Sequence, residues 1–168
     1  MFRRQVKWTF LTLAAFVVSL AFAPGARAEL ELNGLFTDHA VLQAGRKIPV
    51  WGTATPGTEV SITLKGRTTR CTADEDGHWK AELGPLLAGG PHKLKVETSE
   101  GDRAVLPDVM VGEVWLASGQ SNMVWPVERT KGGDKAIEEG DDSRIRFFKV
   151  KRAAGGSPRD NLPGGAWV

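Results

Sequence analysis

Between Leu30 and about Pro107 the apolar residues come in short alternating runs broken by turn formers, and this rhythm constrains the fold more than any other feature of the chain. Alternation puts successive side chains on opposite faces of a strand, so each run has one face to bury. Residues 59–64 place Val60, Ile62 and Leu64 together, and residues 92–97 repeat the device with Leu94 and Val96. Residues 48–52 predict a further strand, in which Pro49 lacks an amide proton and suits an edge or a strand start. Asp74-Glu75-Asp76-Gly77 reads as the turn of a hairpin joining residues 68–73 to residues 78–83, closed at Gly77. Pro56-Gly57 and Ala88-Gly89-Gly90-Pro91 mark two more reversals. Five or six short strands at this spacing predict a β-sandwich over residues 29–108.

The character changes at Val109. Residues 109–117 are nearly continuous in apolar side chains, which predicts a strand covered on both faces, as in a parallel sheet flanked by helices. This run leads directly into Ser118-Gly119-Gln120-Ser121-Asn122-Met123. A buried strand followed by a glycine-containing turn and an exposed hydroxyl is how α/β hydrolases present a nucleophile. Residues 134–139 predict a short helix ending at Gly140, residues 145–150 another strand and residues 153–158 a loop. The last residues, Gly164-Gly165-Ala166-Trp167-Val168, offer no polar tail or closing helix, and such an ending reads as a cut.

Residues 1–28 have the form of a secretory signal: a basic start, an apolar run from Trp8 through Ala23, a Pro24-Gly25 break and the small-residue pattern Ala26-Arg27-Ala28. An uncleaved anchor is the alternative, but the apolar run falls short of the roughly 20 residues that a spanning helix needs. Cleavage after Ala28 implies an exported protein, periplasmic or extracellular. The segment also carries four of the 22 basic residues and no acid, so the net charge of +2 becomes −2 without it, eighteen basic against twenty acidic groups. A basic, nucleic-acid-binding surface therefore has no support in composition. Export permits disulfides, yet Cys71 is the single cysteine and forms no internal bridge. A strand residue is the plainer reading of Cys71 and a reactive thiol the alternative.

Ser121 is the residue that chemistry singles out. A serine hydroxyl becomes a useful nucleophile when a base takes its proton and donors await the oxyanion. The competing reading is that Ser121 caps a following helix. Trp51, Trp79 and Trp115 fall inside predicted strands and are expected to pack, while Trp125, just beyond Ser121, is the tryptophan best placed to line a substrate pocket. Glu113 is either paired in the core or placed for function. Asp141-Asp142 with Glu138-Glu139 are explained as a hydrated charge cluster at a helix end, and neither metal-ligand spacing nor a phosphate-binding glycine loop is present. No cofactor is expected.

The run Val111-Gly112-Glu113-Val114-Trp115-Leu116-Ala117-Ser118-Gly119-Gln120-Ser121-Asn122-Met123 resembles the nucleophile block of the sialate O-acetylesterases, members of the SGNH hydrolase superfamily related to the carbohydrate esterases that deacetylate xylan (family six). The likeness continues on both sides. Residues 34–43, 48–52 and 54–57 resemble the opening of these enzymes, Asp76-Gly77-His78-Trp79 their D-G-x-W segment, residues 144–148 a strand after the nucleophile, and Gly164-Gly165-Ala166-Trp167 a later G-G-x-W segment. The resemblance implies that Ser121 attacks an acetyl ester on a sugar, with its own backbone N–H as one oxyanion donor and Gln120 beside the substrate; Asn122 matches the motif too, and either orients the turn or touches substrate. It also implies that residues 109–168 begin an α/β hydrolase domain of flavodoxin-like type.

Family members take their base from a late Asp-x-x-His and further oxyanion donors from a later Gly and Asn. Here His39, His78 and His92 all precede Ser121, and none stands in such a motif except for the acid three residues before His78, which sits in a turn. The expectation is an N-terminal piece of an exported esterase, inactive alone, with an acetylated saccharide as partner and neither nucleic acid nor, after signal cleavage, a membrane. The rival reading is a non-catalytic exported β-sandwich module that binds carbohydrate or protein.

Overall fold

The computed structural model describes residues 29–152, 156–157, 161–162 and 164–168. The secretory-signal reading of residues 1–28 lies outside the described residues, as does most of the loop expected at residues 153–158. The described chain is mostly β-sheet, with few helical residues.

Eight strands run in order: β1 Glu31–Leu32, β2 Val41–Gln43, β3 Ile48–Thr53, β4 Glu59–Leu64, β5 Arg67–Thr72, β6 His78–Leu83, β7 Gly89–Thr98 and β8 Arg103–Gly112. They form a three-stranded sheet of order β1-β3-β6 and a five-stranded sheet of order β2-β8-β7-β4-β5. All pairs are antiparallel except β2 with β8. After β8 come a 3₁₀ turn at Ser121–Val124, a second at Val127–Arg129 and helix α1 at Gly133–Glu138.

The alternating strands form because each has one face to lose to a common core. Ile48 and Val50 from β3 and Trp79, Ala81 and Leu83 from β6 meet Val60, Ile62 and Leu64 from β4, Leu94 and Val96 from β7, and Val109 and Val111 from β8 in one buried cluster. Fully burying such side chains is worth roughly 1.5–3 kcal/mol each before the cost of ordering the chain. Pro49 sits in β3, the middle strand, but β1 covers β3 only at Gly52 and Thr53, so the far edge at Pro49 is open, as its missing amide requires.

Four expectations need correction. The turn at Asp74–Gly77 forms as predicted, with Gly77 at φ 82° and the Asp74 carboxylate accepting from the Asp76 and His78 amides. The strands it joins, however, do not make a hairpin: β5 pairs with β4 and β6 with β3, so the turn carries the chain from one sheet to the other. Residues 88–91 are not a reversal, because β7 already starts at Gly89 and absorbs the irregular stretch as register shifts before Leu94. The apolar run from Val109 is the end of β8, which began at Arg103, and the strand stops at Gly112, where β2 runs out of residues to pair with it. Trp115, expected to pack, is therefore 87% exposed. Lastly, residues 145–150 make one isolated bridge, Phe148 to Trp167, in place of a full strand.

Candidate active site

The site is positioned by the short parallel ladder of β2 and β8, in register Val41–Met110, Leu42–Val111 and Gln43–Gly112. Backbone bonds lengthen it on either side, with the Met110 N–H donating to the Ala40 carbonyl and the Ala44 N–H to that of Gly112, both at 2.8 Å. Side chains then prolong it at both ends. At the start, the Asp108 N–H donates to Asp38 Oδ1 at 3.1 Å. At the finish, the Val114 N–H donates to Gln43 Oε1 at 3.1 Å, while Gln43 Nε2 donates to Glu113 Oε2 at 3.1 Å. Glu113 is thus exposed and held by Gln43, not paired in the core.

From Val114 the chain leaves the sheet and reaches the Ser121–Val124 turn. Gln120 precedes it at φ −102°, ψ −145°, and accepts from the Met123 N–H at 3.0 Å. Gly119 lets Met123 fold back over it: a Cβ there would lie 2.7 Å from Met123 Cγ, and the Met123 side chain would have to shift. Gln120, Ser121, Asn122 and Trp125 are all exposed. Ser121 is the first residue of the turn, and no side-chain hydrogen bond caps it, so the capping role considered for this serine is not what the structure shows. As the first residue of a helical turn its N–H has no acceptor within that turn. Hydroxyl and N–H are both available to an incoming carbonyl compound.

The chain passes through α1 and returns to β8 at Arg146. Arg146 Nη2 donates to Asp108 Oδ1 at 2.8 Å and His39 Nδ1 lies 2.6 Å from Asp108 Oδ2. The Arg146 hydrogen bond, supported by His39, holds the Asp108 carboxyl below the usual carboxylate range against some desolvation. The following residues then pair with the end of the chain. Phe147 and Val168 exchange backbone bonds at 2.8 and 2.9 Å, and the Phe148 and Trp167 rings lie 5.3 Å apart. Trp167 Nε1–H donates to the Leu35 carbonyl at 2.9 Å, and the Gly34 N–H donates to Asn161 Oδ1 at 3.1 Å. A shallow groove of about 550 Å³ is lined by Val124 together with Val150, Lys151, Ala166 and Val168. Val124, of the Ser121–Val124 turn, is the member of that turn that lines it.

The remaining candidates are quiet. Cys71 is half-buried in β5, and burial pushes its thiol pKa up, away from reactivity. Asp142 is paired with Arg144 at 2.7 Å and its pKa is lowered to about 2 by that partner, and Glu139 lies 3.6 Å from Lys135, so two of the four acids in the cluster sit in local ion pairs. Among the described residues no group of three or more His, Cys, Asp or Glu is arranged to hold a metal ion, and no helix is long and apolar enough to cross a membrane. The residues that sequence reasoning missed are Gln43, Asp108 and Arg146. Their partners lie 70, 69 and 38 residues away, separations that leave no local pattern to read.

No family model matches the chain. Among curated proteins, the sialate O-acetylesterase of Mus musculus is 29% identical over 123 residues, covering 67% of this chain and 23% of its own length. That of Pongo abelii is 40% identical over 83 residues, 44% of this chain and 16% of its own. Among solved structures, a carbohydrate acetylesterase from Xanthomonas citri is 38% identical with a TM-score of 0.76, over 82% of this chain and 32% of that one. The chain therefore spans about a quarter of the mouse protein and a third of the bacterial one. Similarity of sequence and of fold, over most of the described residues, places the chain in the sialate O-acetylesterase family.

Proposed function

We propose that Ser121 is the nucleophile of an acetylesterase acting on O-acetylated sialic acid or a related acetylated saccharide. In this reading Oγ attacks the acetyl carbonyl as a general base takes its proton, and the oxyanion is received by the Ser121 N–H. The sugar hydroxyl leaves with a proton, and water then releases acetate from the acetyl-serine. Gln120, Asn122 and Trp125 flank the substrate. The observation that carries the proposal is the exposed Ser121 at the start of a turn, two residues after Gly119 and with no side-chain hydrogen bond capping that turn.

The same reading makes residues 29–108 a β-sandwich domain and residues 109–168 the opening of an α/β hydrolase domain, with residues 1–28 directing export. It takes the base from beyond Val168, because no histidine follows Ser121 in this sequence. Without that base the chain is expected to be inactive, since general-base catalysis alone is worth about 10²–10⁴-fold. The test is hydrolysis of an aryl acetate by the chain continued with the remainder of the Xanthomonas citri enzyme. Activity that disappears in a folded Ser121→Ala variant supports the proposal, and activity that persists defeats it.

One observation favours the second reading, a binding module: among the described residues every buried member of the core lies within residues 30–112, with only half-buried Trp167 packed against it from beyond. Saturable binding of an acetylated or plain saccharide by a chain that stays inactive when so continued would favour the module.

A further inference from the structure

Residues 114–145 leave the β-sheet at one place and return to it at another, and the two places are ends of the same β2–β8 ladder. At the exit, Gln43 Oε1 takes the Val114 N–H and Gln43 Nε2 holds Glu113. At the return, Asp108 takes Arg146 Nη2 on one carboxylate oxygen and His39 Nδ1 on the other, with Arg146 Nη1 reaching the Asp108 carbonyl at 3.4 Å. The Arg146 side chain is only 12% exposed, so this is the most buried of the ion pairs between described residues that are distant in sequence, and it loses least to water and salt. His39 is held at φ 66°, a backbone conformation that a non-glycine residue adopts at a cost, in the loop whose Asp38 carboxylate takes the Asp108 amide. Beyond Arg146, residues 147–151 pair with the last residues of the chain, and these form the wall of the groove that Val124 closes from the nucleophile turn.

Resting on the reading of Ser121 as the nucleophile, we propose that Asp108 and Arg146 are positioning residues: their ion pair fixes the returning segment, and through the Val124 groove it fixes the Ser121 turn against the β-sheet unit. Neither touches substrate. In this account the residues 34–43 block that opens the family pattern is the dock for the catalytic segment: Gln43 and Leu35 fasten Val114 and Trp167 directly, while Asp38 and His39 hold the Asp108 that takes Arg146.

The test is methyl and amide NMR on the whole chain with labelled valine. Val124, Val150 and Val168 report the groove, and Val50, Val60 and Val96, all 0% exposed, report the core. Asp108→Asn and Arg146→Ala should shift or broaden the three groove valines, leave the three core valines in place, and speed exchange of the Phe147 and Val168 amides about tenfold, the loss expected for a charged hydrogen bond. Arg146→Lys, which keeps the charge and one donor, should recover much of the Val124 signal. A Val124 resonance that stays put while Val150 and Val168 move overturns the proposal, because the clamp would then stop short of the nucleophile turn. Equal movement of core and groove valines overturns it too, as mere loss of fold. Ser121→Ala should leave all six signals unchanged, so a failed esterase assay and a failed clamp are separate results.

Discussion

Residues 30–112 and residues 113–168 are built from similar proportions of apolar side chains and put them to opposite uses. In the first stretch Val60, Ile62, Leu64 and Val96 are wholly buried, because every strand finds a neighbour and both sheets share one core. In the second, Leu116 is 94% exposed and Trp115, Trp125, Ile137, Ile145 and Phe147 are exposed as well. The lesson is that burial follows from partners, not from composition. A side chain as large as Trp115 gains nothing from the hydrophobic effect until something covers it. The first stretch supplies its own fold; the second is a segment held in place at a few points.

The difference can be sharpened by making one substitution in both regions. Leu64→Ala should cost about 2–5 kcal/mol, because the site is closed on all sides and a cavity remains. Leu116→Ala should change stability by less than about 0.5 kcal/mol. Urea denaturation measures both, and similar midpoints would break the comparison. A smaller effect tests the crossing between the sheets. Gly77→Ala places a Cβ 2.6 Å from the Ala54 carbonyl oxygen at a positive φ, and it should cost about 1–3 kcal/mol.

Smaller again is the response of the held segment to acid. The folded-state pKa of Asp108 is lowered, so its contribution is present above the unfolded carboxylate value and is lost as pH falls through the folded one. Arg146, His39 and the Asp38 carboxylate all face it. Exchange of the Phe147 and Val168 amides, corrected for intrinsic rate, should therefore rise as the pH drops below about 3.8, and Asp108→Asn should remove the pH dependence. The least effect is expected from Trp115→Phe, which should remove a tryptophan fully open to a soluble quencher and leave the denaturation midpoint where it was.

How much of this was legible depended on the range over which each feature is decided. The alternation of Val60, Ile62 and Leu64 announced β4, because a strand with one buried face writes that face into its own sequence. The turn at Asp74–Gly77 was legible for the same reason: its hydrogen bonds lie within five residues. Which sheet the next strand would join was not, since β6 chooses β3 across 25 to 35 residues and nothing in the turn encodes that choice. The run from Val109 to Ala117 misled because an apolar run looks alike whether or not neighbours cover it; here β2 ends at Gln43, and the ladder ends with it. Ser121 could be found from its local pattern, while the residues that hold its segment could not. Asp108 and Arg146 look like ordinary surface charges until the fold brings them to 2.8 Å.

The most direct test of the account is the rate of aryl-acetate hydrolysis by the chain once it is continued with the remainder of the Xanthomonas citri enzyme, measured with Ser121 and with Ser121→Ala, alongside circular dichroism to confirm that both are folded. The account predicts measurable turnover that falls by at least about 10³-fold in the variant, the scale seen when a nucleophile is removed from a triad. Equal rates in the two folded proteins would contradict it, and would leave the exposed serine without a catalytic role.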